Sequence, residues 1–219
     1  MVRTSTGAEQ AVKRRYRIAI AEDDELMREG ISCVVAREKG FKLCGFAVDK
    51  KSTLALVEEK DPDVLLLSLF LHDCDGIDLI KDLTARFPRT RVVVTAAGSE
   101  ELYTERLLHA GASVCLPPRT TAHDLIDAIQ RAVAQKRSRS RQVRSKSRGS
   151  AGSPSLSALT DRELHVFRLI GRGRGTGDIA RDLGLSRKTI EYYREQIKLK
   201  LGYHGADALR KAAFEWAQG

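Results

Sequence analysis

The chain has 219 residues and a mass of 24.3 kDa; 42% of its residues are hydrophobic and 31% are charged, which excludes wholesale disorder. No apolar run approaches the roughly 18–20 residues that span a bilayer, and the N-terminus lacks the apolar core of a signal peptide, so no membrane partner is expected. The four cysteines form no C-x-x-C pair, which argues against a zinc site or disulfide framework and predicts reduced thiols in a cytoplasmic protein.

Charge is divided unevenly along the chain. Residues 16–135 contain 20 acidic and 15 basic residues, whereas residues 158–219 contain 12 basic and 8 acidic ones. Between them, residues 136–157 contain seven basic residues and no acidic one. An acidic first half joined to a basic second half predicts that the C-terminal part binds a polyanion.

The first half alternates short apolar runs with helical patterns. The predicted strands cover residues 17–21, 42–48, 64–69, 92–95 and 114–116, and the predicted helices cover 25–37, 53–60, 77–86, 100–110 and 122–135. Nearly continuous apolar strands separated by helices are typical of a parallel sheet with helices on both faces. We therefore expect a doubly wound, five-stranded α/β domain over residues 16–135, with its chemistry at the carboxyl ends of the strands.

Residues 136–157 read KRSRSRQVRSKSRGSAGSPSLS and have no apolar periodicity. Such a segment cannot bury enough surface to offset the entropy of ordering it, which predicts a flexible linker between two domains. Two interpretations remain open: a solvated tether, or a tether that also contacts phosphates without sequence preference.

The part after the linker, residues 158–219, is predicted to be an all-α domain of four helices. Thr160 and Glu163 have the spacing of a capping box at the start of the first helix. A short second helix and a glycine turn follow, and Ser186 caps a longer, basic third helix. This order of elements predicts a helix-turn-helix.

The third predicted helix carries the residues expected to contact double-stranded DNA. Its apolar positions Ile190, Ile197 and Leu201 define a buried side, and a helix fits the major groove, where base edges can be distinguished. The predicted DNA-binding residues are Arg187, Lys188, Thr189, Glu191, Tyr192, Glu195 and Lys198. The first three lie at the helix N-terminus, which favours phosphates, and Glu191, Tyr192 and Glu195 are expected to face base edges.

Residues 159–201 resemble the LuxR-type helix-turn-helix. The matching residues are Leu159-Thr160, Glu163, Leu169-Ile170, Gly173, Ile179-Ala180, Leu183, Ser186, Thr189-Ile190 and Lys200-Leu201. The resemblance implies sequence-specific DNA binding by a homodimer, with dimer contacts through the fourth helix, here assigned to Leu209, Ala213 and Trp216. In this sequence Tyr193 stands where a His is common, and Gly177 lies early in the second helix, at a cost of roughly 1 kcal/mol relative to Ala.

The first half resembles a response-regulator receiver domain of the NarL/FixJ type. Glu22-Asp23-Asp24 matches the acidic residues after the first strand, Asp75-Gly76 the loop after the third, and Thr95 the end of the fourth. The resemblance implies a pocket in which the acidic residues and an aspartate at the end of the third strand hold Mg²⁺, and that aspartate accepts a phosphoryl group.

Three positions of that pocket differ in this chain. Ser68 stands at the position of the phospho-acceptor Asp, Pro118 at that of the Lys that contacts the phosphoryl group, and Cys115 at that of the aromatic switch residue. A Ser hydroxyl is a weak nucleophile without an adjacent base, and losing a carboxylate leaves only Glu22 and Asp23 for a weak magnesium site. We therefore predict a degenerate receiver that binds no cofactor, is not an enzyme and does not switch by aspartyl phosphorylation.

These observations together predict a transcriptional regulator that acts independently of phosphorylation, with a receiver-like domain that serves dimerisation or contact with a protein partner or ligand. Two alternatives stay open: a protein-interaction adaptor, and a conventional two-component regulator phosphorylated at a substitute site such as Asp73 or Asp75. Cys74, which lies between these aspartates, is predicted to be the most exposed thiol, while Cys33, Cys44 and Cys115 are predicted to be buried.

Overall fold

The computed structural model describes residues 15–69, 71, 74–95, 101–117, 119–134 and 156–218. Within these residues the first domain has five strands: β1 (Tyr16–Ala21), β2 (Phe41–Ala47), β3 (Val64–Ser68), β4 (Arg91–Thr95) and β5 (Val114–Cys115). The helices between and after them are α1 (Glu25–Arg37), α2 (Lys50–Lys60), α3 (Gly76–Arg86), α4 (Glu101–Ala110) and α5 (Ala122–Ala134). Helix α2 begins three residues earlier than predicted because Asp49 caps it, its carboxylate accepting the Ser52 N–H at 2.6 Å.

The strands form one parallel sheet in the order β2-β1-β3-β4-β5. Because successive side chains of a strand point to opposite faces, Ile18 and Ile20 of β1 pack with α1 and α5, whereas Ala19 and Ala21 face the layer of α2, α3 and α4. The predicted doubly wound α/β fold is therefore confirmed.

The second domain is helical throughout its described residues. A short 3-10 helix (Leu156–Ala158) precedes α6 (Asp161–Gly171), α7 (Thr176–Asp182), α8 (Arg187–Leu201) and α9 (Ala206–Gln218). The predicted capping box is present: the Glu163 N–H donates to the Thr160 hydroxyl at 3.3 Å, and the Thr160 N–H donates to the Glu163 carboxylate at 2.8 Å. The four predicted helices of this domain are confirmed.

Three further features concern the chain beyond its separate domains. The predicted linker, 136–157, lies outside the described residues except for Leu156 and Ser157, which begin the 3-10 helix. One contiguous cluster of buried apolar side chains extends from the α2–α4 side of the sheet into the helical domain. No helix in the described residues combines the length and the apolar character that a membrane crossing requires.

Candidate functional site

The carboxyl edge of the sheet brings the predicted pocket residues together. Glu22 and Asp23 follow directly on β1, and Ser68 and Thr95 are the last residues of the neighbouring strands β3 and β4, where they are register partners. Ser68 and Glu22 are both buried. Three adjacent parallel strands end at this edge, which is why residues far apart in sequence meet here.

Glu22 is the centre of a small hydrogen-bonded group. Its side chain accepts the Asp24 N–H at 3.1 Å, and its backbone carbonyl accepts a hydrogen bond from the Arg28 guanidinium at 3.0 Å. Burial raises the pKa of Glu22 above its usual value; the Asp24 N–H lowers it, a hydrogen bond with Asp23 raises it again, and a hydrogen bond with Ser68 lowers it. The two carboxyl groups and the Ser68 hydroxyl therefore satisfy one another within the pocket.

This arrangement does not fit a receiver-type magnesium site. Such a site needs several negatively charged oxygen ligands, but Ser68 contributes a neutral hydroxyl, and burial favours the protonated form of Glu22. Among the described residues, no three or more His, Cys, Asp or Glu side chains are grouped so that they could hold a metal ion. The Thr95 hydroxyl donates to the carbonyl of Leu67, the residue before Ser68 in β3, at 3.4 Å.

Cys115 and Pro118 stand where the resemblance places the aromatic switch residue and the Lys that contacts the phosphoryl group. Burial raises the pKa of Cys115 to about 12, which keeps its thiol protonated and unreactive at neutral pH. Pro118 lies outside the described residues. Its neighbour Arg119 is exposed and has a φ of 63°, in the left-handed region.

Asp75 is one of the two substitute phospho-acceptors that the sequence offers. Its carboxylate accepts the Ile77 N–H at 3.0 Å as the N-cap of α3, and its other oxygen lies 3.5 Å from Arg162 of α6. The side chain is 1% exposed, and burial raises the pKa of Asp75. A buried helix cap covered by the second domain is poorly placed to meet a phosphodonor. Asp73 lies outside the described residues.

The cysteine expectations are partly wrong. Cys74 is buried, not exposed, because it joins the apolar cluster that continues into the helical domain, and Cys33 of α1 is exposed, not buried. Cys44 and Cys115 are half-buried.

Helix α8 presents most of the predicted DNA-binding residues to solvent. Arg187, Lys188, Glu191, Tyr192 and Glu195 are exposed, while Ile190, Ile197 and Leu201 are fully buried on the opposite side. Two other predicted DNA-binding residues make contacts within the domain. Thr189 is half-buried and its hydroxyl shares a hydrogen bond with Ser186 at 2.8 Å, and Lys198 is 18% exposed and pairs with Glu195 at 2.8 Å.

The structure also gives a role to Gly177, which the sequence marks only as a poor helix former. A Cβ built at Gly177 would lie 2.9 Å from Nη2 of Arg187, so the missing side chain makes room for this guanidinium beside α7. Arg187 is thereby positioned at the junction of the two helices of the helix-turn-helix. Sequence spacing alone gives no signal for this contact.

The predicted dimer contacts on α9 need correction. Leu209 and Ala213 are fully buried in the core of their own domain, and the half-buried Trp216 packs against Phe167 of α6 with ring centroids 5.5 Å apart. These residues hold α9 onto α6, and the buried Leu209 and Ala213 are not available to a second copy. The outer side of α9 instead exposes Phe214, which is 55% accessible.

An open parallel sheet with acidic residues at its carboxyl edge, followed by a helix-turn-helix domain with a basic recognition helix, defines a response-regulator type of transcription factor. Residues 18–130 match the response regulator receiver domain, and residues 157–212 match the bacterial regulatory proteins of the luxR family. The chain belongs to the response regulators that join a receiver domain to a LuxR-type DNA-binding domain, which confirms both predicted resemblances.

Several known proteins are similar over most of the chain. The uncharacterized transcriptional regulatory protein YxjL of Bacillus subtilis (strain 168) is 30% identical over 197 residues, covering 86% of this chain and 90% of YxjL. The transcriptional regulatory protein DegU of Brevibacillus brevis is 26% identical over 216 residues, covering 88% of this chain and 90% of DegU.

Solved structures of the response regulator RcsB share the fold. One from Salmonella typhimurium superposes with a TM-score of 0.72 at 21% identity, covering 93% of this chain and 99% of that chain. Another, a structure of two RcsB dimers bound to two parallel DNAs, gives a TM-score of 0.67 at 20% identity, covering 94% of this chain and 100% of that chain. At this level of identity the likeness concerns the fold.

Proposed function

We propose that this transcriptional regulator binds specific DNA sequences as a homodimer without being phosphorylated on its receiver domain. The observation that carries the proposal is Ser68 at the end of β3, buried and hydrogen-bonded to Glu22 where the family has an acceptor aspartate. A carboxylate is ionised at neutral pH and can attack a phosphodonor directly, whereas an alcohol needs a base to remove its proton. Glu22, the carboxyl group hydrogen-bonded to Ser68, has a pKa raised by burial and is also hydrogen-bonded to Asp23.

The DNA-binding part of the proposal rests on the exposed side of α8. Arg187 and Lys188 lie in the first turn, where cations and free backbone N–H groups favour a phosphate. Glu191, Tyr192 and Glu195 lie further along the same exposed side, within reach of base edges once the helix enters the major groove. Lys198 contributes less, because its ammonium group is already paired with Glu195.

A homodimer through the outer side of α9 is consistent with the exposure of Phe214, since an aromatic ring among the exposed charged residues Arg210, Lys211 and Glu215 can anchor an interface. The receiver domain offers a second exposed apolar pair, Leu26 and Met27 at the start of α1, which is a candidate contact for a protein partner.

The decisive experiment is selection of bound duplexes from a random DNA pool by purified full-length protein in the absence of any phosphodonor. The proposal expects a specific sequence with two symmetric half-sites, whose binding is lost in the Lys188→Ala, Tyr192→Ala double variant. Equal binding to all sequences would instead support the adaptor alternative.

A parallel measurement addresses phosphorylation. Intact mass spectrometry after incubation with acetyl phosphate and Mg²⁺ is expected to show no added phosphoryl group in the wild type. A reproducible phosphoryl adduct on an aspartate, together with tighter operator binding, would overturn phosphorylation independence while leaving DNA binding intact.

A further inference from the structure

Arg106 of α4 makes a set of contacts that crosses from the receiver domain to the helical domain. One guanidinium nitrogen lies 3.0 Å from the Asp161 carboxylate, and the other lies 2.7 Å from the carbonyl oxygen of Leu159. The same nitrogen also approaches the carbonyls of Leu156 and Ser157 at 3.5 and 3.4 Å. Arg106 thus binds the 3-10 helix and the start of α6 together, and only 17% of its side chain is exposed.

Asp161, the first residue of α6, receives a second cation from the receiver domain. Lys81 of α3 donates to its other carboxylate oxygen at 2.8 Å. Burial by itself would raise the pKa of Asp161, but the hydrogen bonds and charges of Lys81 and Arg106 outweigh it, and the pKa lies below its usual value. Arg162 extends the contact in the opposite direction, from α6 to the buried Asp75 at the start of α3.

An apolar contact supports these ion pairs. Leu71 and Cys74 of the receiver domain belong to the same buried cluster as Phe167 and Ile170 of α6. Beside it, an open cleft of about 450 Å³ is lined from one side by Asp23 and Leu69 and from the other by His165 and Arg172. The polar contacts between the two domains join α3 and α4 to the 3-10 helix and the first residues of α6.

This contact surface leaves the recognition helix free. Among the described residues, the polar contacts between the domains involve the 3-10 helix and α6, and the exposed side of α8, from Arg187 to Glu195, takes no part in them. A receiver domain docked in this way does not cover the residues that would enter the major groove.

We propose that Arg106 is an interdomain latch, which docks the DNA-binding domain onto α3 and α4 in the arrangement that binds DNA. The DNA part of this inference rests on the proposed function; the latch itself does not. Because both domains belong to one chain, even a contact of modest intrinsic strength is populated at the high effective concentration that the connection imposes. A guanidinium is suited to this role because its planar fork can bind a carboxylate and a carbonyl at once, which a lysine ammonium cannot reproduce in the same geometry.

The chain supplies its own probes for testing the latch. Trp216 is its only tryptophan and lies in the helical domain, while Cys33 is the exposed thiol of α1 in the receiver domain. With Cys44 and Cys115 replaced by Ala, the buried Cys74 kept because it belongs to the contact between the domains, and an acceptor dye on the exposed Cys33, energy transfer from Trp216 reports the separation of the two domains in the full-length protein. Diluting the labelled protein into excess unlabelled protein removes transfer between copies.

The variants are Arg106→Glu, which breaks the latch, Arg106→Lys, which keeps the charge, and Arg131→Glu as a control on the exposed surface of α5. Transfer efficiency is expected to fall by about twofold or more in Arg106→Glu, to fall part of the way in Arg106→Lys and to stay unchanged in Arg131→Glu. Equal transfer in Arg106→Glu and the wild type would overturn the latch.

The second arm adds the duplex selected by the wild-type protein. Transfer efficiency in the wild type is expected to stay the same when the duplex binds, and Arg106→Glu is expected to bind it no more tightly than the wild type. A fall in wild-type transfer to the Arg106→Glu level on DNA binding, or tighter binding by Arg106→Glu, would show that docking inhibits and would overturn the proposal. If no duplex is bound specifically, the proposed function and the DNA part of this inference fail, whereas the first arm still decides the latch.

Discussion

The Lys200 ammonium of the recognition helix lies 2.6 and 2.9 Å from the two carboxylate oxygens of Glu163 in α6. The same carboxylate accepts the Thr160 N–H in the capping box. The buried Glu163 side chain therefore both caps the N-terminus of α6 and binds α8 to α6. Burial alone would raise the pKa of Glu163, but the hydrogen bonds from Lys200 and Thr160 outweigh it and hold that pKa below its usual value.

Replacing Glu163 by Gln is therefore expected to destabilise the helical domain by about 1.5–3 kcal/mol, since a buried hydrogen bond to a charged group is lost. Urea unfolding followed by Trp216 fluorescence measures this domain specifically. Glu195→Gln is the matched control, because its pair with Lys198 is largely exposed at the Glu195 end and should change the free energy of unfolding by less than about 1 kcal/mol. Equal effects of the two substitutions would contradict this account.

Gly171 marks the closest approach of α6 and α9. A Cβ at this position would overlap the carbonyl group of Ala213, with its carbon at 2.7 Å, and backbone atoms cannot turn aside as a side chain can. We expect Gly171→Ala to lower the free energy of unfolding of the helical domain by about 1–3 kcal/mol. The control, Gly30→Ala on the exposed side of α1, has no neighbour within 4 Å and should gain about 0.5–1 kcal/mol; calorimetry on both variants tests the difference in sign.

Gly177→Ala should separate stability from DNA binding. Alanine favours the helical state of α7 by up to about 1 kcal/mol relative to glycine. Its Cβ, however, would lie 2.9 Å from Nη2 of Arg187, so the guanidinium has to move away. We expect an equal or higher melting temperature together with weaker binding to the selected duplex. In an Arg187→Ala background the same substitution should leave affinity unchanged; a further loss of affinity there would mean that Gly177 acts through something other than Arg187.

Ser68→Asp should make the stability of the receiver domain depend on magnesium more strongly than it does in the wild type. A third carboxylate beside Glu22 and Asp23, in a buried position, is expected to cost about 1–3 kcal/mol of receiver stability without metal. Millimolar Mg²⁺ should restore most of this loss by neutralising the added charge. Thermal unfolding by circular dichroism with and without Mg²⁺ measures the effect, and Ser68→Ala, which adds no charge, should respond to Mg²⁺ no more than the wild type does.

His165 predicts that stability depends on pH. It is 5% exposed, and burial, followed by the charges of Arg168 and Arg162, lowers its pKa to about 3 from an ordinary 6.5. Below pH 6.5, His165 is protonated in the unfolded chain but stays neutral in the folded domain. The free energy of unfolding therefore falls by up to about 1.4 kcal/mol for each pH unit between 6.5 and 3.

Unfolding followed by Trp216 fluorescence at pH 7.5, 6.5 and 5.5 should reveal this slope. His165→Leu removes the titrating group without losing a hydrogen bond, because Nδ1 of His165 has no hydrogen-bond partner among the described residues. The free energy of unfolding of this variant is expected to change little over the same pH range. A wild-type slope no steeper than that of His165→Leu would exclude His165 as its source.

The secondary structure of this protein follows from local patterns in its amino-acid sequence. The apolar runs and the caps at Thr160 and Ser186 act within a few residues, so strands, helices and their order follow from spacing. The same holds for Ser68: its chemical difference from an aspartate is a property of one residue, and its place at the end of β3 follows from the apolar run before it.

Which surfaces remain exposed depends on how whole helices and domains pack together. The apolar side of α9 is evident from its sequence, but whether Leu209 and Ala213 face their own domain or a second copy depends on how α6 packs, and here it covers them. The sequence places Cys74 and Asp75 in a loop, but both are buried because the second domain lies over them. The contact between Arg106 and Asp161 joins residues 55 positions apart, and no periodicity within either helix encodes it. Burial and pairing of this kind arise from the packing of whole elements, which local spacing does not specify.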